Sequence, residues 1–405
     1  MRIDRRAVTV TSLGLTQTLA WASSYYLPAM LAGSMARELA LPIQAVFAAF
    51  SAALVLAALL GPLAGRCIDR YGGRPVLLAS NLIFAAGLSC LAWSPGTLLF
   101  FIGWLLIGAG MGIGLYEAAF STVVKLYGDQ ARNAITGITL FAGFASTAGW
   151  PLSAWLEVEF GWRTACLAWA GLHLFAGLPL NASLPARTDS AAAPEAVAPS
   201  QADGAMQTRA APAGGTEPPR HAGLLLALVF AITWFISTAM AAHLPHLLQA
   251  SGMTLAAAVA VSALVGPAQV AARLMEFGLL RRTHPLVSAK LAALAHPAGA
   301  ACLMIAGGSA AVPFTVLHGA GNGILTIAKG TLPLVIFGPL GYGLRQGLLM
   351  VPARIAQAAA PFLFGILIDH WGVSSLWVSS LLGLIACLAL FGLGRGMRAS
   401  RQVAA

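Results

Sequence analysis

The chain has 405 residues, 59% of them hydrophobic and only 9% charged, with a formal net charge of +10. Soluble domains carry about 25% charged residues, so the composition excludes an ordinary water-soluble protein and points to the bilayer. Basic loops and a few cations inside apolar stretches account for the positive charge, so no nucleic-acid partner is called for.

Twelve apolar stretches are read along the chain, near 8–32, 43–64, 75–93, 98–124, 134–157 and 164–183, then 222–249, 254–280, 286–306, 311–336, 346–368 and 374–394. Each is about 20 residues or longer, enough to cross a hydrocarbon core of about 30 Å. The alternating pattern of a β-barrel strand is absent, so the fold class is an all-α membrane protein. The first stretch follows a basic start but is too long for a signal peptide and lacks a small-residue cleavage site, so it is expected to be retained. It carries Gln17, Trp21, Tyr25 and Tyr26, candidates for lining a central path.

Between the second and third stretches lies Gly65-Arg66-Cys67-Ile68-Asp69-Arg70-Tyr71-Gly72-Gly73-Arg74. Each charge there would cost roughly 2.5–3.5 kcal/mol in hydrocarbon, so this is a tight loop at a membrane surface. The fourth stretch carries Gly108-Ala109-Gly110-Met111-Gly112-Ile113 and then Glu117, at a depth of roughly 12 Å.

Residues 184–221 are rich in Ala and Pro and show no apolar periodicity, which predicts a disordered, solvated linker. It divides an N-terminal bundle, 1–183, from a C-terminal bundle, 222–394, followed by a tail over 395–405. In the seventh stretch His243 and His246 flank Pro245, with no third ligand nearby to make a metal site. The eighth holds Arg273 and Glu276, three apart and on one helical face. They either neutralise each other, or Arg273 grips an anion bidentately. In the tenth, His318 and Asn322 share a face and Lys329 lies deeper. Arg354, in the eleventh, is a further buried cation, suited to a contact with the loop after the second stretch or to a ligand. The five cysteines show no disulfide or metal spacing.

Orientation follows from the basic residues. With an even number of spans, one side receives Arg2, Arg5, Arg6, Arg66, Arg70, Arg74, Lys125, Arg132, Arg187, Arg209, Arg220, Arg281, Arg282, Arg345, Arg395, Arg398 and Arg401. The other receives Arg37 and Arg163. Basic residues favour the cytoplasm, so both termini are placed there. The halves also repeat. Gly108-Ala109-Gly110 recurs as Gly319-Ala320-Gly321, 211 positions on, and Gly61-Pro62 as Gly266-Pro267, 205 positions on. Pro151 and Gly161 find counterparts in Pro361 and Gly372, which makes a duplication the natural reading.

The loop resembles the signature between helices 2 and 3 of the major facilitator superfamily, Gly-x-x-x-Asp-Arg/Lys-x-Gly-Arg/Lys-Arg/Lys. Gly65, Asp69, Arg70, Gly72 and Arg74 match, and Gly73 departs where a basic residue is usual. The 6 + 6 layout, the long linker and Gly161-Trp162-Arg163 extend the resemblance over the whole chain. It implies two pseudo-symmetric six-helix bundles around a central site, with Asp69, Arg70, Arg74 and Arg354 forming a cytoplasmic gate. Asp69 would face a helix N-terminus or an arginine of the other half; the arginines would otherwise anchor at anionic headgroups. It also implies that the fourth and tenth helices face the cavity, so that Glu117 and Lys329, 212 positions apart, confront each other. They would pair as a gate or share substrate and proton duties. The loop and the Trp21/Tyr25/Tyr26/Pro28 helix are similar to the monocarboxylate and oxalate–formate branch, without its acidic-glycine start. Trp104 stands where many proton-driven members have arginine, and Gly149-Trp150-Pro151 only hints at the antiporter motif.

Arg273, Lys329 and Arg354 outnumber Glu117 and Glu276, a balance that favours a small organic anion. The expected function is therefore secondary transport of a monocarboxylate-like anion, with a proton as candidate coupling ion. Its partners are the substrate, the proton and the lipid bilayer. An exporter of toxic compounds is the alternative, and a non-transporting sensor would need an effector domain for which neither terminus is long enough. No nucleotide-binding motif, cofactor motif or catalytic triad is present in the sequence. The expected setting is a bacterial inner membrane, multi-pass, as a monomer.

Overall fold

The computed structural model describes residues 5–185, 221–279 and 283–403, with side chains as far as Met397. The predicted linker over 186–220 lies outside the described residues, as do Arg2, Arg281, Arg282 and the side chains of Arg398 and Arg401. Backbone N–H and C=O groups find no water in hydrocarbon, so an apolar chain must satisfy them within helices. The described residues are accordingly helical throughout their apolar parts. Before the linker come α1 (Arg5–Ser23), α2 (Leu27–Glu38), α3 (Ile43–Tyr71), α4 (Gly73–Ala92), α5 (Thr97–Gly114), α6 (Tyr116–Tyr127), α7 (Arg132–Ala142), α8 (Ala145–Leu172) and α9 (Leu178–Ala182). After it come α10 (Ala222–Ala250), α11 (Leu255–Ser262), α12 (Val265–Gly278), α13 (Pro285–Ala306), α14 (Ala311–Phe337), α15 (Tyr342–Trp371) and α16 (Leu376–Val403).

Among the described residues, seven helical stretches are long and apolar enough to cross a membrane, one of them Thr97–Ala182 with 86 residues. At 1.5 Å per residue that stretch far exceeds one hydrocarbon thickness. It turns back on itself, with Gly128 at φ +55° and Gly161 at φ +81° among its corners.

Several expected spans are broken helices. The first divides at Ser24–Tyr26, because Pro28 opens α2 and its ring cannot coexist with a continuing helix. The fourth divides at Leu115, which is extended (φ −82°, ψ −166°). The eighth divides between α11 and α12. Most of the expected tail over 395–405 is helical, α16 running on to Val403, consistent with the helix-forming Arg, Met, Ala and Gln residues there.

The repeated glycines explain how the helices are stacked. Gly108 and Gly112 of α5 lie against the backbone of Ala53 and Ala57 in α3, while Gly319 and Gly323 of α14 lie against Val265 and Gln269 in α11–α12. A small-xxx-small face brings two backbones together in each half. The halves meet along α3 and α15, α6 and α15, and α7 with α12 and α14.

Candidate functional site

The break at Leu115 puts Glu117 in the first turn of α6 and frees the carbonyl of Gly114, which accepts a hydrogen bond from Gln17 Nε2 at 2.7 Å. Glu117 thus sits at the positive end of a helix in the interior, as the broken helices of transporters arrange it. Opposite it, Arg354 of α15 donates from Nη2 to Glu117 Oε2 at 2.9 Å and Oε1 at 3.2 Å. Its Nη1 donates to Gln357 Oε1 at 3.1 Å. The Arg354 side chain is 4% exposed and that of Glu117 14%, so the pair is buried between the two halves of the chain.

An aromatic wall surrounds this pair. Trp21 of α1 and Trp234 of α10 are nearly parallel, 6° apart in plane with centroids 5.9 Å apart. The Arg354 guanidinium carbon lies 5.8 Å from the Trp21 ring centre and 5.4 Å from that of Trp234. Tyr25, in the break after α1, and Thr238 of α10 approach with OH and Oγ1 3.2 Å apart. Lys329 of α14 is buried, and its Nζ stands 4.0 Å from the Trp234 ring centre. Among the described residues the Lys329 ammonium has no salt bridge and no hydrogen-bond acceptor; Glu117 acts on it only from a longer range, and the Trp234 indole face lies against it.

Two expectations are corrected here. Arg354 does not reach the loop after α3; it pairs with Glu117 deep in the protein. Arg273 and Glu276 do not neutralise each other. Arg273 donates to Thr139 O at 2.8 Å, Gly323 O at 3.4 Å and Gln269 Oε1 at 3.4 Å. Glu276 instead pairs with Arg132 at 3.4 Å, and its Oε2 has no hydrogen-bond partner among the described residues. Arg273 is drawn to the C-terminal carbonyls of α7, where the helix dipole favours a cation.

At the loop, Asp69 accepts from the backbone N–H of Gly343 and of Leu344, both at 2.9 Å. These are first-turn amides of α15, whose unpaired N–H groups and dipole favour a carboxylate. Gly65 touches the Gly343 backbone so closely that a side chain on either would overlap the other. Gly72, at φ +85°, gives the chain its turn into α4. Lys125 Nζ donates to Asp69 O at 2.9 Å, and Arg70 lies over the Tyr71 ring. Arg74 opens α4, next to Gly73.

At the opposite end of the first-half helices, Arg163 donates to Glu38 Oε1 at 2.7 Å and Trp162 Nε1 to Glu38 Oε2 at 2.6 Å. The Arg163 hydrogen bond holds the Glu38 carboxyl below the usual carboxylate range. Arg163 also donates to Ala92 O and Ser94 O, tying α2, α4 and α8 together.

A family profile for the Major Facilitator Superfamily matches residues 13–328. The chain belongs to this superfamily. It is therefore a multi-pass membrane transporter, not an enzyme. Among curated proteins, this superfamily member is 31% identical over 117 residues to rat monocarboxylate transporter 3, covering 28% of the chain and 23% of that protein. It is 29% identical over 116 residues to monocarboxylate transporter 9 of Pongo abelii, covering 28% and 22%. The matches thus span less than a quarter of each relative's length. Among solved structures it is similar to the human organic anion transporter MFSD10 (TETRAN), with TM-score 0.68, 19% identity, and 95% and 99% of the two chains covered. The proton:xylose symporter XylE (TM-score 0.73, 13% identity, 96% of each chain) and FucP in the outward conformation (0.73, 16%, 96% and 99%) share the fold.

Other expected path residues lie elsewhere in this superfamily member. His318 Nδ1 faces His296 Nδ1 at 3.1 Å, and His296 Nε2 meets Ser379 Oγ at 3.0 Å, all within the second-half helices. With Asn322 they border a cavity of about 20 Å³, room for about one water. His243 Nε2 bonds Pro361 O at 2.8 Å. Tyr26, by contrast, stays at the aromatic wall: it packs edge-on against both Trp150 and Tyr25, with its ring centre 6.3 Å from that of Trp21. Trp234, Gln357 and Arg132 were not singled out from sequence as site residues. The signal for the first was there: Trp21 and Trp234 stand 213 positions apart, as do Tyr25 and Thr238. Residues at equivalent points of a repeat touch only near the axis relating the copies.

Proposed function

We propose that this transporter carries a small organic anion together with a proton, by alternating access of two six-helix bundles, 1–183 and 222–394. In this reading the helices make twelve crossings, both termini are cytoplasmic, and the Gly65–Arg74 loop with Asp69 closes the cytoplasmic side. A bacterial inner membrane is the setting, and the monomer is the working unit. The observation that carries the substrate class is the buried Lys329 ammonium, which has an indole face but no salt-bridge partner, beside an Arg354 that already holds the nearby Glu117. Such a site holds surplus positive charge, and an anion is what neutralises it. The names of the relatives, monocarboxylate transporters and an organic anion transporter, agree with that chemistry.

Glu117 supplies the coupling. While ionised it occupies the Arg354 fork; once protonated it releases the guanidinium to a substrate carboxylate, which it resembles. One proton then accompanies one anion. Truncating one partner of a buried, hydrogen-bonded charge pair with a ligand costs about 2–5 kcal/mol of binding, so Arg354→Ala is expected to weaken anion binding by roughly 30-fold or more. Lys329→Ala is expected to weaken binding in the same direction. The test is uptake of labelled mono- and dicarboxylates into proteoliposomes, with and without an inward proton gradient. Uptake that neither substitution changes would overturn the assignment.

A further inference from the structure

Building on the anion reading above, we infer that the preferred substrate is a planar aromatic carboxylate, whose ring is held by Trp21 and Trp234 while its carboxylate is held by Arg354 and Lys329. The two indoles come from opposite halves of the chain, α1 and α10, and stack within 6° of parallel at 5.9 Å. They also stand at the same point of the internal repeat, so they meet near the axis about which the halves are related. Both are buried, Trp21 at 3% and Trp234 at 8% exposure. In this closed arrangement each indole covers the other.

Any motion that parts the halves strips each indole of its partner. Two large parallel faces are then presented to the space where the substrate must sit. A flat π-system replaces what each face has lost, because offset-stacked rings gain attraction beyond their buried area. A short aliphatic acid cannot do this. The cations are positioned to match: the Arg354 guanidinium is within 5.8 Å of both ring centres, and Lys329 Nζ is 4.0 Å from that of Trp234. A carboxylate attached directly to an aryl ring thus reaches the positive groups while its ring stays against the indoles. The other wall agrees, since Tyr116 of α6 lies 4.9 Å from Trp21, centre to centre.

Benzoate and cyclohexanecarboxylate separate this proposal from the anion reading on which it rests, since they share charge and size and differ in planarity. Their binding to the purified full-length protein is measured by calorimetry, with lactate as the aliphatic reference. Benzoate is expected to bind about ten-fold more tightly than cyclohexanecarboxylate, the scale of one or two ring–ring contacts. Trp234→Leu is expected to bring the two affinities together, and Trp234→Phe to preserve most of the preference. Trp21→Leu serves as the second variant if Trp234→Leu fails to fold, each being checked by its melting profile. Equal affinities in the unsubstituted protein, or a preference unmoved by either leucine, overturn the aromatic assignment and leave the anion reading in place. Binding of lactate but of neither ring compound does the same. Absence of binding by all three acids overturns both.

Discussion

Glu117 stands in the second position of a helix that starts only because the preceding residue, Leu115, is extended. Had α5 and α6 been one helix, Glu117 would face a closed turn of backbone; instead it lies where free amides and the helix dipole support a carboxylate. Its second support is Arg354, at 2.9 Å from the other half of the chain. In the proposed cycle this contact between the halves is the one that a proton on Glu117 would release. Glu117→Gln removes the titration but keeps the shape and one acceptor. It is expected to abolish stimulation of uptake by an inward proton gradient, while exchange of labelled for unlabelled anion across the membrane continues. A variant whose uptake still responds to the gradient would take the proton away from Glu117.

At the scale of elements, α3 and α15 are joined where both are reduced to glycine. A Cβ on Gly343 would stand 2.5 Å from Gly65 O and 2.8 Å from Asp69 Oδ1. The first obstacle is backbone and the second is a carboxylate held by two backbone hydrogen bonds, so Gly343→Val is expected to cost about 1–3 kcal/mol by overpacking and to lower the melting temperature in detergent. Gly223, near the start of α10, meets nothing within 4 Å, and Gly223→Ala is expected to be neutral or mildly stabilising. Similar melting shifts for the two would deny the close approach its importance. The Gly65/Asp69 pattern was legible through the family resemblance, which left the Asp69 partner open between a helix N-terminus and an arginine of the other half; its carboxylate lies on the first-turn amides of α15. The small-residue faces at Gly108 and Gly319 were readable as packing surfaces from their period. The ion pairs were not. Arg273 and Glu276 share a helical face, yet each found a partner on α7, since spacing along one helix says nothing of what another helix presents. The break at Leu115 left little trace, because no proline marks it, whereas Pro267 in the first turn of α12 marks the break after α11 much as Pro28 marks the one before α2.

Across the whole molecule, α3 and α15 stay together from the Asp69 cap on Gly343 through Gly61 against Gly347 to Ser51 Oγ, which donates to Ala358 O at 3.3 Å. That seam belongs to both halves, whereas the Glu38–Arg163 clasp ties only first-half helices to one another. If transport requires the halves to rock, the seam must open at its loop end in each cycle, and the clasp need not. The two are distinguished by covalent restraint. With the five native cysteines replaced, Arg66→Cys and Leu344→Cys place thiols on neighbours of the touching Gly65–Gly343 pair, within reach of a short bifunctional reagent. Bridging them is expected to stop uptake and reduction of a cleavable bridge to restore it. The same treatment of Glu38→Cys with Arg163→Cys is expected to leave uptake largely intact. Full uptake with the α3–α15 bridge in place would mean that the halves do not separate there, and the loop would then be an anchor at the membrane surface, not a gate.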